Sequence, residues 1–202
     1  MNRVVTPLAG LLIVLGLSRA PAADEKIKES PYYPLKIGTK WHYRVGANSF
    51  VMHVAKHEKV DGTVCALLET SRDGQVLTNE QIGIKDDGIY RFSIAGQKPD
   101  NPFRILKLPA KKGDTWKVES KIGAQSFKGS FTVGEAEVTV PAGKYKAITA
   151  ASDGFEIPDD NGNFLKITFN FWFVEKVGLV KQTIKIADKP EVVIELEKYE
   201  AP

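Results

Sequence analysis

The sequence predicts an all-β protein: an antiparallel meander of about 12 strands, curved into a half-barrel or barrel. Three observations predict it. Apolar side chains recur at every second residue, the period of a half-buried strand. Asx-Gly dipeptides separate the runs, and such pairs close hairpins because they tolerate positive φ. No stretch of about ten residues or more carries a capped helical stripe. Parallel strands need long, usually helical crossovers, so short connections without helices imply antiparallel pairing.

The elements follow in order. A short polar lead, 23–34, precedes the first strand. Trp41, Tyr43 and Val45 alternate with His42 and Arg44, and Phe50, Met52 and Val54 alternate with Val51, His53 and Ala55. Phe127, Phe131 and Val133 share one strand face with Gly129. Ile167, Phe169, Phe171 and Phe173 share another, and Val192, Ile194 and Leu196 form the last, opposite Glu195 and Glu197. The turns between runs are expected at Asp61-Gly62, Asp73-Gly74, Asp87-Gly88, Asp153-Gly154, Asn161-Gly162 and Val140-Pro141-Ala142-Gly143. Phe171-Trp172-Phe173-Val174 is apolar on both faces, so its strand is expected beneath cover on both sides or with its tip at an opening. A twisted sheet of this many strands cannot stay flat; it curls, closes or splits into two packed sheets.

The 202 residues are 43% hydrophobic and 26% charged, the composition of an ordinary globular chain. Residues 1–22 read as an export signal. One early charge, Arg3, precedes the uncharged run Val4–Leu17, which is too short to span a bilayer, and small residues in Ala20-Pro21-Ala22 suit cleavage after Ala22. An uncut N-terminal anchor is the alternative. Export implies a periplasmic or extracellular protein. Removing Arg3 and Arg19 from the 28 Lys+Arg leaves near balance with 25 Asp+Glu, so nucleic acid is not an expected partner and no later segment reads as a membrane span. The single cysteine, Cys65, permits no internal disulfide and reads as a small buried hydrophobe.

The chain resembles itself. Gly38-Thr39-Lys40-Trp41 matches Gly113-Asp114-Thr115-Trp116; Gly46-Ala47-Asn48-Ser49-Phe50 matches Gly123-Ala124-Gln125-Ser126-Phe127. Ala66-Leu67 with Ser71 and Asp73-Gly74 matches Ala147-Ile148 with Ser152 and Asp153-Gly154. The matches keep their order, which predicts one β domain, 35–202, built from a duplicated six-strand unit with pseudo-repeats 35–109 and 110–202. Convergent hairpin chemistry is the alternative.

Chemistry is sparse. His42, His53 and His57 are the only histidines; His53 and His57 share a strand face about 13 Å apart, too far for one ion. No Gly-x-Ser-x-Gly elbow and no phosphate-cradling Gly-rich loop occurs. Asp153, Glu156, Asp159, Asp160, Asn161 and Asn163 are hard oxygen donors, but Phe164 stands where a helical calcium loop needs Gly. A solvated hairpin connection is the simpler reading. The expectation is therefore no catalytic residues, no metal and no cofactor.

Tyr33-Pro34-Leu35-Lys36-Ile37-Gly38 leading to Trp41-His42-Tyr43 resembles a signature of uncharacterised secreted bacterial β-domain proteins. So do Val140-Pro141-Ala142-Gly143-Lys144-Tyr145-Lys146-Ala147, Trp172-Phe173, Val177-Gly178-Leu179-Val180-Lys181 and the closing Glu195-Leu196-Glu197-Lys198-Tyr199. In outline that family is similar to the open β-barrels of lipoprotein carriers, which hold acyl chains. The resemblance implies a fold and supplies no catalytic residues.

The expected function is an exported, non-catalytic binding module for an apolar or amphipathic ligand, with Phe127, Phe131, Phe169 and Phe171 as the ligand-binding residues. Plain core packing is the simpler role for those rings. A cell-envelope scaffold or protein-interaction domain is the alternative function, and a hydrolase comes third.

Overall fold

The structure is a computed structural model describing residues 26–158 and 164–202. The expected signal segment and its cleavage site, and the turn at Asn161-Gly162, lie outside the described residues. Among those described there are thirteen strands and no helix. They are β1 (Lys40–Val45), β2 (Asn48–Val60), β3 (Thr63–Arg72), β4 (Gln75–Lys85), β5 (Gly88–Ser93) and β6 (Phe103–Lys107) in the first half. The second half holds β7 (Thr115–Ile122), β8 (Gln125–Val140), β9 (Gly143–Ser152), β10 (Phe155–Pro158), β11 (Phe164–Val174), β12 (Gly178–Ile186) and β13 (Val192–Glu200).

Alternation decides which side chains turn inward. In β7, Trp116, Val118 and Ser120 are buried while Thr115, Lys117, Glu119 and Lys121 face water. Asp61-Gly62 and Asp73-Gly74 both have positive φ at their two residues, the backbone a tight right-twisted hairpin requires. Asp153-Gly154 does not close a hairpin. It interrupts one long run, so that β9 and β10 lie in succession between β8 and β11. At the break the Ser152 hydroxyl accepts from Phe169 N–H (2.7 Å), a side-chain substitute for a ladder bond. This break raises the strand count from the expected twelve to thirteen.

All strands pair antiparallel in one sheet, from β7 and β8 through β9/β10, β11, β12, β13, β1, β2, β3, β4 and β5 to β6. The last strand pairs with the first strand, Trp41 opposite Tyr199, so β13 and β1 join in mid-sheet. The two remaining edges, β6 and β7, then come together. Trp116 Nε1–H donates to the Arg104 carbonyl (3.0 Å), and Asp100 N–H donates to the Lys121 carbonyl (2.9 Å). The sheet is thus a curled meander whose one seam lacks a regular ladder.

The two halves repeat a local geometry. Gly38 N–H donates to the Val54 carbonyl (2.9 Å) and Val54 N–H to the Thr39 carbonyl (3.0 Å). Gly113 N–H donates to the Val133 carbonyl (2.9 Å) and Val133 N–H to the Asp114 carbonyl (2.8 Å). Both lead into a buried tryptophan on an inward phase, Trp41 and Trp116.

The lead before β1 belongs to the core. Tyr33 packs edge-on to Trp41 (5.6 Å between centroids) and beside Phe173 (6.2 Å). Backbone bonds hold it there: Lys176 N–H donates to the Pro31 carbonyl (2.6 Å) and His57 Nε2–H to the Leu35 carbonyl (2.6 Å). One apolar cluster runs from Tyr33 and Leu35 through Trp41, Phe173 and Phe171 to Phe131 and Phe103.

The Tyr33 hydroxyl is buried without a hydrogen-bond partner. Removing it relieves that desolvation, so Tyr33→Phe is expected to raise stability by about 1 kcal/mol in urea unfolding. Tyr33→Ala, which deletes the ring as well, is expected to lose about 3–5 kcal/mol. A Tyr33→Phe protein less stable than the parent would show that the hydroxyl is satisfied.

Candidate ligand cavity

The inward phases leave a cavity of about 460 Å³, within the range of small-molecule sites. Its walls come from both halves. Phe171, Gln182 and Ile194 stand side by side across β11, β12 and β13, and Phe169 faces Ile184 one register step away. Tyr43 and Phe50 are cross-strand partners on β1 and β2, with rings 5.5 Å apart. Phe50, Ile94, Ile122 and Phe127 adjoin the connections at 46–47, 94–102 and 123–124. The antiparallel meander places these connections at one end of the molecule, so the cavity occupies that end of the interior.

Three of the four expected ligand-binding rings line it: Phe127, Phe169 and Phe171. Phe131 does not. It is fully buried, stacked on Trp116 (5.2 Å, 22° between planes) and 5.4 Å from Phe155. Register explains the difference. Phe131 lies opposite Trp116, which covers it, whereas Phe127 lies opposite Ser120, which is too small to do so. Gly129, between them, is bare for a similar reason: a Cβ there would sit 2.9 Å from the Phe155 ring and the Gly154 carbonyl.

The cavity also holds two charges that sequence reasoning missed. Arg91 Nε lies 2.8 Å from Glu80 Oε2, with side chains only 13% and 15% exposed. Arg91 Nε is not aligned for a hydrogen bond, and the guanidinium sits 5.4 Å from the centroid of the Phe171 ring. The available signal was a charge on an apolar phase: Arg91 shares a face with Ile82, its cross-strand partner. Burial pushes the Tyr33 and Tyr43 phenols well above their ordinary range. The Glu80 charge adds to the rise and Arg91 opposes it. Tyr43 therefore stays a neutral donor, bonded to the Leu179 carbonyl (2.6 Å).

Side chains close the seam beside the cavity. Asp100 Oδ1 accepts from Lys121 N–H (2.6 Å), Asn101 N–H (2.7 Å) and the Ser120 hydroxyl (3.0 Å). Those bonds, the one from Lys121 N–H first, hold the Asp100 carboxyl below the usual aspartate range.

The remaining candidates sit apart. His42 Nε2 is 3.1 Å from Glu200 and His53 Nε2 3.6 Å from Glu69, both exposed in part. Among the described residues no three His, Cys, Asp or Glu gather as a metal site. Asp153 directs both oxygens to Ser130, accepting from its N–H (3.0 Å) and hydroxyl (2.7 Å). These bonds lower its pKa, the Ser130 hydroxyl contributing most. Asp159, Asp160, Asn161 and Asn163 lie outside the described residues. Cys65 is buried on the other face of the sheet from the cavity, beside Gly83 and the Phe92 ring. Burial, with the Glu58 charge, pushes its thiol up to about 12.

Among the described residues, most exposed large apolar side chains lie toward the cavity's end of the molecule; Ile37, before β1, is exposed at the other end. Val76 and Leu77 near the start of β4, Phe164 and Leu165 at the start of β11, and Val192 at the start of β13 are all exposed, Phe164 by 66%.

Two measurements check these environments. At pH 8 the native Cys65 thiol is expected to react with a maleimide at least about a hundredfold more slowly than in the unfolded chain. Equal rates would place it at the surface. Asp100→Ala is expected to lower the melting temperature most at neutral pH. The stabilisation Asp100 supplies is intact above about pH 4, the ordinary aspartate range. It fades as pH falls through the lower folded-state pKa, so the two proteins should converge in strong acid. A pH-independent difference would assign the effect to packing.

No protein-family model and no curated protein matches the chain. Among solved structures, a candidate lipoprotein from Parabacteroides distasonis is similar to it, with a TM-score of 0.56 and 11% identity over 84% of this chain and 98% of that one. A candidate exported protein with a YmcC-like fold from Bacteroides fragilis has a TM-score of 0.49 and 12% identity, over 84% and 99% of the two chains. The first likeness is one of fold.

Proposed function

We propose that this chain is an exported, non-catalytic carrier that holds an apolar or amphipathic small molecule inside its curled sheet. The observation that carries the reading is the cavity of about 460 Å³, walled by Phe50, Met52, Phe127, Phe169, Ile184 and Ile194. A core closes its gaps when nothing else is served, because each unfilled space forfeits packing. Here the opposite end of the same interior is filled by Tyr33, Leu35 and Trp41 to near-complete burial. The contrast supports a space kept open for an occupant.

Export rests on residues 1–22, with cleavage after Ala22, and places the mature protein in the periplasm or outside the cell. The candidate lipoprotein that shares the fold is in keeping with it. Among the described residues no helix is long and apolar enough to cross a membrane. The recurrent bonds at Gly38–Val54 and Gly113–Val133 support reading 35–109 and 110–202 as pseudo-repeats of a duplicated unit.

Apolar probe binding tests the carrier. The mature protein, purified without detergent, is expected to bind N-phenylnaphthylamine at one site with enhanced fluorescence. Ile194→Trp, which fills the cavity, is expected to weaken that binding by at least about tenfold while the circular dichroism stays that of the parent. A parent protein that binds no probe, or a variant that binds it equally, removes the carrier reading.

A second reading is an envelope protein-interaction domain. The exposed Val76, Leu77, Phe164, Leu165 and Val192 favour it, since such side chains gathered at one end mark contact surfaces. In-cell crosslinking at Leu77 would give a discrete protein adduct on that reading and none on the carrier reading.

A further inference from the structure

We propose that the Glu80–Arg91 pair selects the polar end of the ligand: a single-chain amphiphile with an uncharged, hydrogen-bond-accepting head, an ester or amide, rather than a carboxylate or an amine. The inference rests on the carrier reading and specifies its ligand.

Charge balance gives the first argument. Among the described residues, Glu80 and Arg91 are the only charged ones on the cavity wall. Their atoms meet at 2.8 Å, so the site is neutral before anything enters. A carboxylate entering it would meet the Arg91 cation and the Glu80 anion at similar range, and the two interactions largely cancel. Its desolvation would still cost several kcal/mol. An ammonium faces the mirror of the same problem. Tyr33 and Tyr43 do not alter the balance, because burial keeps both phenols protonated.

Hydrogen-bond supply gives the second. An arginine carries five N–H donors and no acceptor. Glu80 lies close to Nε without an aligned hydrogen bond. Thr70, Thr78, Asn79, Ser120 and Gln182 add neutral polar groups to the wall. Arg91 thus offers charged donors to a cavity whose lining beyond the pair is uncharged, mostly aromatic and aliphatic with these few neutral polar groups. An ester or amide carbonyl accepts such a bond without bringing a charge. The alkyl chain then runs along Phe169, Ile184 and Phe127.

Competition against bound N-phenylnaphthylamine at pH 8 tests this with the parent protein. Methyl dodecanoate is expected to displace the probe about tenfold more tightly than tridecane, which is as apolar but has no acceptor, a difference of one good hydrogen bond. It is also expected to outcompete dodecanoate. Glu80→Gln, which leaves the Arg91 cation unbalanced, is expected to shift the dodecanoate-to-ester preference at least about tenfold toward the acid. Equal displacement by tridecane and the ester would overturn the proposal, since the pair would then read no head group. An unchanged acid-to-ester ratio in folded Glu80→Gln would overturn it too. In both cases probe binding leaves the carrier itself standing. Failure of the parent to bind any probe removes the carrier and this selection together.

Discussion

One constraint governs this molecule: a wide, twisted antiparallel sheet with an apolar face, and no helix among the described residues to cover it, buries that face only by wrapping around itself. The rest follows from that closure. The first and last strands pair in mid-sheet, so the closing joint falls between β6 and β7. There the regular ladder gives way to single bonds, Trp116 to the Arg104 carbonyl and Lys121 N–H to the Asp100 carboxylate. The closing joint lies next to the cavity, and Ser120 belongs to both.

Closure creates an interior that must then be filled. At one end the chain uses its own lead, placing Tyr33 against Trp41 and Phe173. In the middle Trp116, Phe131, Phe155 and Phe103 stack and tilt against one another at 5.2–6.0 Å. At the other end the side chains across from the rings become small, as Ser120 is opposite Phe127, and space remains. The cavity is a consequence of residue size along strands of constant spacing. The Glu80–Arg91 pair stands at this space, where a cation rests on the Phe171 face and the low-dielectric surroundings magnify whatever it meets.

Much of the architecture was legible because strand physics is local. The alternation in Trp41-His42-Tyr43 or among residues 50–54, the Asp-Gly turns at 61–62 and 73–74, and the absence of a helical stripe each depend on neighbouring residues alone. They led to an antiparallel meander, and sheet size led from there to curvature. Asp153-Gly154 misled for the same local reason. A dipeptide that tolerates positive φ closes a hairpin or breaks a strand, and only the bonds of Phe169 and Ser130 decide between them. Phe127, Phe169 and Phe171 were legible as an inward aromatic phase; that Phe131 is covered depended on its cross-strand partner.

By itself, then, the sequence determined the fold class, the period of strands such as those at 41–45 and 127–133, the curling of the sheet and the buried character of Cys65, since each is set by short-range pattern or by composition. Only the tertiary structure decided which inward rings face a void and which face one another. It alone brought Glu80 beside Arg91 and drew Tyr33 out of a polar lead into the core. The physical reason is register. Which side chain stands opposite which across a curled sheet depends on bulges, breaks and the closing seam together, and no one segment encodes those.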